Sequence, residues 1–355
     1  MDIQDQIEHI QKEIRETPYH KATEHYIGKL RAKLARLKDK EIEKSSKKGG
    51  GGGGYSVKKQ GDATVVLVGP PSVGKSTLLN MLTNAKSKIA PYAFTTVSVI
   101  PGMMEYKDAQ IQILDVPGLI EGAEEGKGRG REVLSVARAA DLLILITDIE
   151  KIGTIEKIKA ALERNGIRVN KKPPNVVIEK KLSGGITIHT NLNLEVSKNT
   201  IKEMAQEFGI KNGEITIKEP LGLEGLIDSF STNRIYLPAL EVVNKIDLKE
   251  KDERENGMIF ISAEKNINLE ELKDTIWEKL NFLRVYLVRP DDEPSFDNPI
   301  VMKSNDTLMD VAEKIGTEFA EGKKGAKIWG EGAKHPGQEV SLTRQVLDKM
   351  QIRFV

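Results

Sequence analysis

Gly69-Pro70-Pro71-Ser72-Val73-Gly74-Lys75-Ser76 reads G-x-x-x-x-G-K-S, the spacing of a loop that cradles phosphate. It follows Thr64-Val65-Val66-Leu67-Val68, a short apolar run rich in β-branched residues. It precedes Thr77-Leu78-Leu79-Asn80-Met81-Leu82, which reads as a helix. Strand, glycine loop and helix are the context this motif requires. The N–H groups of Ser72 to Lys75 are expected to form an anion nest at the helix N-terminus. Lys75 should reach the outer phosphates, and the Ser76 hydroxyl should hold Mg²⁺. The nucleotide-contacting set on this stretch is Gly69, Pro70, Pro71, Ser72, Val73, Gly74, Lys75, Ser76 and Thr77.

Further motifs follow in the order a guanine-nucleotide site needs. Asp115-Val116-Pro117-Gly118 ends a strand at 110–114, at its carboxyl edge, where open α/β sheets bind ligands. Asp115 is expected to bind Mg²⁺, and the Gly118 N–H to meet the γ-phosphate. Taken alone, this tetrapeptide reads equally well as a β-turn. Asn244-Lys245-Ile246-Asp247 follows a strand at 239–243. Asp247 can accept from the guanine N1–H and 2-amino group, a donor pair that adenine lacks. Lys245 would lie over the base, and Asn244 would tie this loop to the phosphate loop. Ser262-Ala263-Glu264 follows a strand at 258–261 and would offer the Ala263 N–H to guanine O6. Between phosphate loop and Asp115 lies Tyr92-Ala93-Phe94-Thr95-Thr96. One threonine there should complete the Mg²⁺ shell, Thr96 being preferred slightly over Thr95. Lys75, Thr96 and Gly118 are thus the residues expected at the reacting phosphate, and Ser76, Thr96 and Asp115 those expected at the metal.

The 355 residues are too long for one ordinary domain. Charged residues make up 30% and apolar residues 39%, a globular composition with a formal charge of +1. No cysteine is present, which excludes disulfides, zinc ribbons and thiol nucleophiles. The first five residues are acidic and lack the apolar core of a secretory signal. The longest aliphatic run, Leu142 to Ile146, is far below the ~20 residues that span a bilayer. A cytoplasmic, non-membrane protein, monomeric on its own, is expected.

Residues 2–16 place Ile3, Ile7, Ile10 and Ile14 on one helical stripe, interrupted by Thr17-Pro18. A second helix, about 19–44, groups Tyr26, Ile27, Leu30, Leu34 and Leu37. The two should form a hairpin. From His20 to Lys48 ten Lys/Arg face four Asp/Glu, which is either a solvated face or a footprint for RNA phosphates. Six glycines, Gly49 to Gly54, read as a flexible linker that leaves the hairpin mobile. Strands at 64–68, 98–105, 110–114, 142–147, 239–243 and 258–261 imply an α/β sheet. The gap between the fourth and fifth is far longer than the ~30 residues of one βαβ unit, so a small α+β subdomain is inserted. Within it 175–189 reads as a hairpin around Ser183-Gly184-Gly185, 198–209 as a helix and 213–218 as a strand. Its edge, Arg164 to Gly185, carries six Lys/Arg and one Glu. The last segment reads as a mixed β domain with strands near 284–288, 299–302, 326–329 and 351–355, and one helix, Thr307 to Ile315. The division is 1–48 helical hairpin, 49–60 linker, 61–150 with 236–282 nucleotide-binding domain, 151–235 insert and 283–355 C-terminal domain.

The chain resembles the DRG family (developmentally regulated GTP-binding proteins) of the Obg superfamily of TRAFAC-class GTPases. The resemblance rests on Lys21-Ala22-Thr23, the glycine tract, Gly61-Asp62-Ala63, Pro71 to Leu79, Phe94-Thr95-Thr96 and Gly118 to Ala123. It continues through Gly126 to Arg131, Gly166-Ile167-Arg168, Lys172-Pro173-Pro174-Asn175 and Asn244 to Asp247, nearly end to end. It implies a P-loop, Ras-like α/β core with an N-terminal helical hairpin, an insert similar to a ribosomal-protein domain and a C-terminal TGS domain of β-grasp type. It further implies GTP and GDP as ligands, Mg²⁺ as cofactor, a ribosome or ribosomal RNA partner and, in a eukaryote, a dedicated regulatory protein.

Ras-like enzymes orient the attacking water with a glutamine after the Asp-x-x-Gly motif. No glutamine occurs between Gly118 and Arg129, so slow intrinsic turnover is expected. Backbone, a K⁺ ion or a partner would then orient the water. Potassium-activated relatives usually carry Asn where this chain has Ser72, which leaves K⁺ open. Arg129 and Arg131 fit a finger in cis, RNA contacts or solvated charges. A second reading makes the chain an RNA- or ribosome-docking module whose nucleotide is chiefly structural. A P-loop ATPase is disfavoured by Asp247.

Overall fold

The computed structural model describes residues 3–47, 60–83, 90–91, 98–116, 134, 136–248 and 257–355. They form two compact units, one of residues 57–158 with 238–355 and the other of 1–56 with 159–237.

The first unit is built on a seven-stranded sheet in the order β12-β11-β5-β1-β4-β3-β2. In chain order these are β1 (Ala63–Val68), β2 (Ala90–Pro91), β3 (Ser98–Tyr106), β4 (Ala109–Asp115), β5 (Leu142–Asp148), β11 (Ala239–Asn244) and β12 (Ile259–Phe260). Strands β12, β11, β5, β1 and β4 run parallel. Strands β3 and β2 are antiparallel additions. Every residue of β1 and β5 is buried, as continuous apolar runs require in a sheet covered on both faces. Helix α1 of this unit (Lys75–Leu82) sinks Leu78, Leu79 and Leu82 against Val65, Leu67, Ile113 and Ile144. Register then decides the site. Leu67 lies beside Asp115, and Asn244 beside Asp148, so all these chain ends meet at one carboxyl edge.

The C-terminal module belongs to the same unit. Its sheet runs β14-β13-β17-β15-β16, with β13 (Phe282–Leu287), β14 (Pro299–Lys303), β15 (Ala326–Trp329), β16 (Gln338–Val340) and β17 (Gln351–Phe354). Helix α2 (Leu308–Ile315) covers Leu283, Val285, Ile328 and Ile352. Thr307 caps it, with Asp310 returning the capping-box bond. The sequence suggested a single helix here. A second, α3 (Thr317–Glu321), starts after Gly316 and is too short to show a period. Lys314 reaches Asp62 at 2.5 Å and Lys303 reaches Asp141 at 3.3 Å, pinning the module beside β1.

In the second unit α4 (Ile3–Glu16) and α5 (Glu24–Lys47) pack through Ile7, Ile10, Leu30 and Leu37. Helix α5 starts at Glu24 rather than near 19, because Thr23 closes a turn on His20 and Pro18. Its other face was not foreseen. Gly28, Ala32 and Ala35 make a small-residue stripe against α6 (Lys198–Glu207) and α7 (Leu223–Phe230). A Cβ on Gly28 would meet Thr200 Cγ2 at 2.7 Å. Glu24 accepts from Ser197 N–H at 2.9 Å. The hairpin is therefore part of the insert's core, while the glycine tract, Gly49 to Gly54, lies outside the described residues.

The insert's sheet also differs from expectation. Strands β7 (Val176–Lys180) and β8 (Ile186–His189) do not pair as a hairpin; both pair with β9 (Gly213–Ile217), which lies between them. Asn212 holds the crossing segment by accepting from Gly185 N–H and donating to Leu182 C=O. At the insert's base β6 (Ile167–Val169) pairs with β10 (Ile235–Leu237). Arg168 and Arg234 meet Asp228 there, and Arg234 also meets Asp39 of α5 at 2.9 Å. All four are about nine-tenths buried, so each charge depends on its partner.

Candidate nucleotide site

The phosphate loop leaves β1 at Gly69, where a Cβ would lie 2.2 Å from the Ile146 carbonyl. Only glycine allows that crossing of β5. Ser72 (φ +64°) and Gly74 (φ +93°) are both left-handed, and Val73 between them is fully buried. This alternation turns successive N–H groups toward one concavity, the geometry of an anion nest. The loop leads directly into the helix at Lys75. Lys75 is buried, and its ammonium donates to Gly69 C=O at 3.0 Å and Pro70 C=O at 2.9 Å. Pro71, Ser76 and Thr77 are exposed at the loop and first helical turn, and Pro70 is half-buried.

Ser76 Oγ donates to Asp115 Oδ2 at 2.6 Å. Asp115 is 3% exposed, and its Oδ1 is buried with no hydrogen-bond partner among the described residues. A buried carboxylate oxygen without a donor is costly, and a cation there would relieve it. A hydroxyl and a carboxylate side by side are hard oxygen ligands suited to Mg²⁺. The residues present therefore fit this ion.

Asn244 joins three loops. Its Nδ2 donates to Val73 C=O at 2.8 Å, and its Oδ1 accepts from Ala263 N–H at 2.9 Å. Gly74 leaves room for this, since a Cβ there would lie 2.4 Å from Asn244 Nδ2. The Ala263 N–H, expected to face guanine O6, is thus committed to Asn244 in this structure. Buried at 1% exposure, that amide needs a partner, and Asn244 supplies it. Ser262 is buried and its hydroxyl accepts from Lys265 N–H. Lys245 takes a left-handed backbone (φ +64°) and donates to Ser72 C=O at 2.6 Å. Asp247 is exposed in a 3-10 turn, Ile246–Leu248.

The structure thus brings together Gly69 to Ser76, Asp115, Asn244, Lys245, Ser262 and Ala263. Thr96, Thr95, Gly118, Arg129 and Arg131 lie outside the described residues. Asp148 escaped the sequence reading, although an acid ending a wholly apolar strand is a usable signal. It lies 3.8 Å from Lys245 Nζ. Among the described residues no cluster of three acidic or histidine side chains forms a separate metal centre. None of their helices is long and apolar enough to cross a membrane.

Strand, nest, Mg²⁺-type ligands and an Asn-Lys-x-Asp loop on a parallel sheet define a P-loop GTPase. Family models agree. Residues 64–180 match the family described as 50S ribosome-binding GTPase, 183–282 match the C-terminal region of that domain, and 283–355 match the TGS domain. A GTP-binding protein of Methanocaldococcus jannaschii is 45% identical over 98% of this chain and 91% of its own length. One from Halobacterium salinarum is 41% identical over 100% and 99%. Developmentally-regulated GTP-binding protein 2 of Homo sapiens is 38% identical over the whole of both chains. The chain belongs to the developmentally regulated GTP-binding protein family of the Obg type.

Proposed function

We propose that this chain binds GTP with Mg²⁺ and hydrolyses it slowly to GDP and phosphate, as a switch that acts on the ribosome in the cytoplasm. The Ser76–Asp115 pair, with a buried oxygen that has no partner among the described residues, is the observation that carries the reading. The nest and Lys75 bind and orient the β- and γ-phosphates. Ser76 and Asp115 would hold Mg²⁺, with Thr96 as third protein ligand, and the bound ion would neutralise charge on the phosphates. Asn244 fixes the base-side loop to the nest, Lys245 covers the base, and Asp247 reads guanine through its two donors. Thr96 and Gly118 hold their segments against the γ-phosphate and release them after hydrolysis. Equilibrium binding of GTP, GDP and ATP with and without Mg²⁺ tests this; equal competition by ATP defeats the guanine assignment.

The ribosomal part of the proposal draws on the matched family's description and on the basic hairpin and insert. A eukaryotic member would add a regulatory protein partner. The docking-module reading retains one specific support, the lack of glutamine between Gly118 and Arg129. Single-turnover hydrolysis measured with and without ribosomes separates the two: a ribosome-stimulated rate supports the switch, an unchanged slow rate the module. Repeating it in K⁺ and Na⁺ decides whether a monovalent ion helps at Ser72.

A further inference from the structure

Asp148 ends a strand whose seven residues are all buried. Its carboxylate is 9% exposed, so it has lost most of its hydration. Oδ1 has no partner among the described residues, and Oδ2 lies 3.8 Å from Lys245 Nζ. Strand register sets Asp148 opposite Asn244, so the chain leaving Asn244 must pass this carboxylate. Lys245 turns there through a left-handed backbone and bonds Ser72 C=O at 2.6 Å. Its side chain is 36% exposed, and its ammonium has two alternatives, water or the bridge between Ser72 and Asp148. A half-solvated lysine on a long, flexible stem has no reason of its own to choose the bridge. A buried carboxylate whose one cationic neighbour among the described residues is Lys245 supplies that reason.

From this we infer that Asp148 is a positioning residue that holds Lys245 against the phosphate loop and thereby sets how long a guanine nucleotide stays bound. The inference rests on the GTP-binding reading above. Asp148 touches no part of the nucleotide in this scheme and acts through the lysine. Asp247, not Lys245, reads the 2-amino group. Loss of Asp148 should therefore loosen all purine nucleotides that the loop admits by the same factor.

The test is dissociation of fluorescent GDP from the full chain, for wild type, Asp148→Asn, Lys245→Met and the double variant. Asp148→Asn keeps the shape and removes the charge. It should release GDP about five- to tenfold faster than wild type. In the Lys245→Met background the same change should have less than about a twofold effect, because its intermediary is gone. The affinity ratio of GDP to IDP, which lacks the 2-amino group, should be unaltered by Asp148→Asn. Asp148→Glu, retaining the charge, should lie nearer wild type than Asp148→Asn, and it serves as the comparison if the Asn variant fails to fold. Additive effects, an unchanged rate in Asp148→Asn, a collapsed GDP-to-IDP ratio, or a Glu variant as fast as Lys245→Met would each overturn the inference alone. A folded wild-type chain that binds no GDP would overturn the GTP-binding reading and this inference together.

Discussion

Asn244 and Val73 are 171 positions apart, yet the amide of one donates to the carbonyl of the other at 2.8 Å. The same side chain accepts from Ala263 N–H, so one buried residue fixes the phosphate loop, the base-side loop and the strand behind them. Asn244→Ala leaves a buried carbonyl and a buried N–H unpaired. Each such group costs about 1–3 kcal/mol, so a loss of about 2–6 kcal/mol is expected without nucleotide. Denaturant unfolding of the nucleotide-free chain measures it. GDP affinity should fall as well, since the loops lose their common anchor.

Asp115→Asn tests the metal ligands. The amide keeps a hydrogen-bonding group beside Ser76 but removes the charge that attracts a divalent ion. GDP affinity in EDTA should stay within about twofold of wild type, while the gain on adding Mg²⁺ should shrink at least about tenfold. A full Mg²⁺ response in the variant, measured by calorimetric titration, would assign the ion to other ligands.

Gly28→Val tests the crossing of α5 and α6. Replacing a mid-helix glycine by a residue with a side chain ordinarily recovers part of a helical penalty of about 0.5–1 kcal/mol. Here the Cβ alone would sit 2.7 Å from Thr200 Cγ2, and overpacking costs about 1–3 kcal/mol. The clash outweighs the helical gain, so net destabilisation is expected. Faster proteolysis of the helical hairpin relative to wild type would show it.

Asp310 tests the cap of α2. Hydrogen bonds from the Thr307 hydroxyl and backbone N–H hold its carboxyl below the usual aspartate range. A depressed folded pKa contributes stability that is fully present above the unfolded value of ~3.9 and is lost as pH falls through the folded value. Amide exchange in α2 should therefore speed up as pH drops below about 4, after correction for intrinsic exchange. Asp310→Asn should flatten that dependence. An identical pH profile in the variant would exclude the cap as its origin.

Much of the fold was legible because its signals are local. Apolar runs and alternations identified β1, β4, β5 and β11 to within two residues, and glycine spacing located the nest. The pairing of β7 and β8 was misread because two strands separated by Gly184-Gly185 look alike whether they pair or flank a third. The docking face of α5 was missed because Gly28, Ala32 and Ala35 carry almost no hydrophobic signal. Their value lies in letting another helix approach, which no residue states by itself.

The sequence alone determined the class of protein: a nest between strand and helix, a carboxylate ending a strand, and an Asn-Lys-x-Asp loop are chemistry carried by neighbouring residues. Tertiary structure decided which of those groups are free for a ligand. Parallel register set Asp115 beside Ser76 and left one carboxylate oxygen without a partner among the described residues, while burial obliged the Ala263 N–H to serve Asn244. The same register placed Asp148 beside the loop of Lys245. A buried polar atom takes the partner that packing brings within reach, and that choice joins residues far apart in the chain.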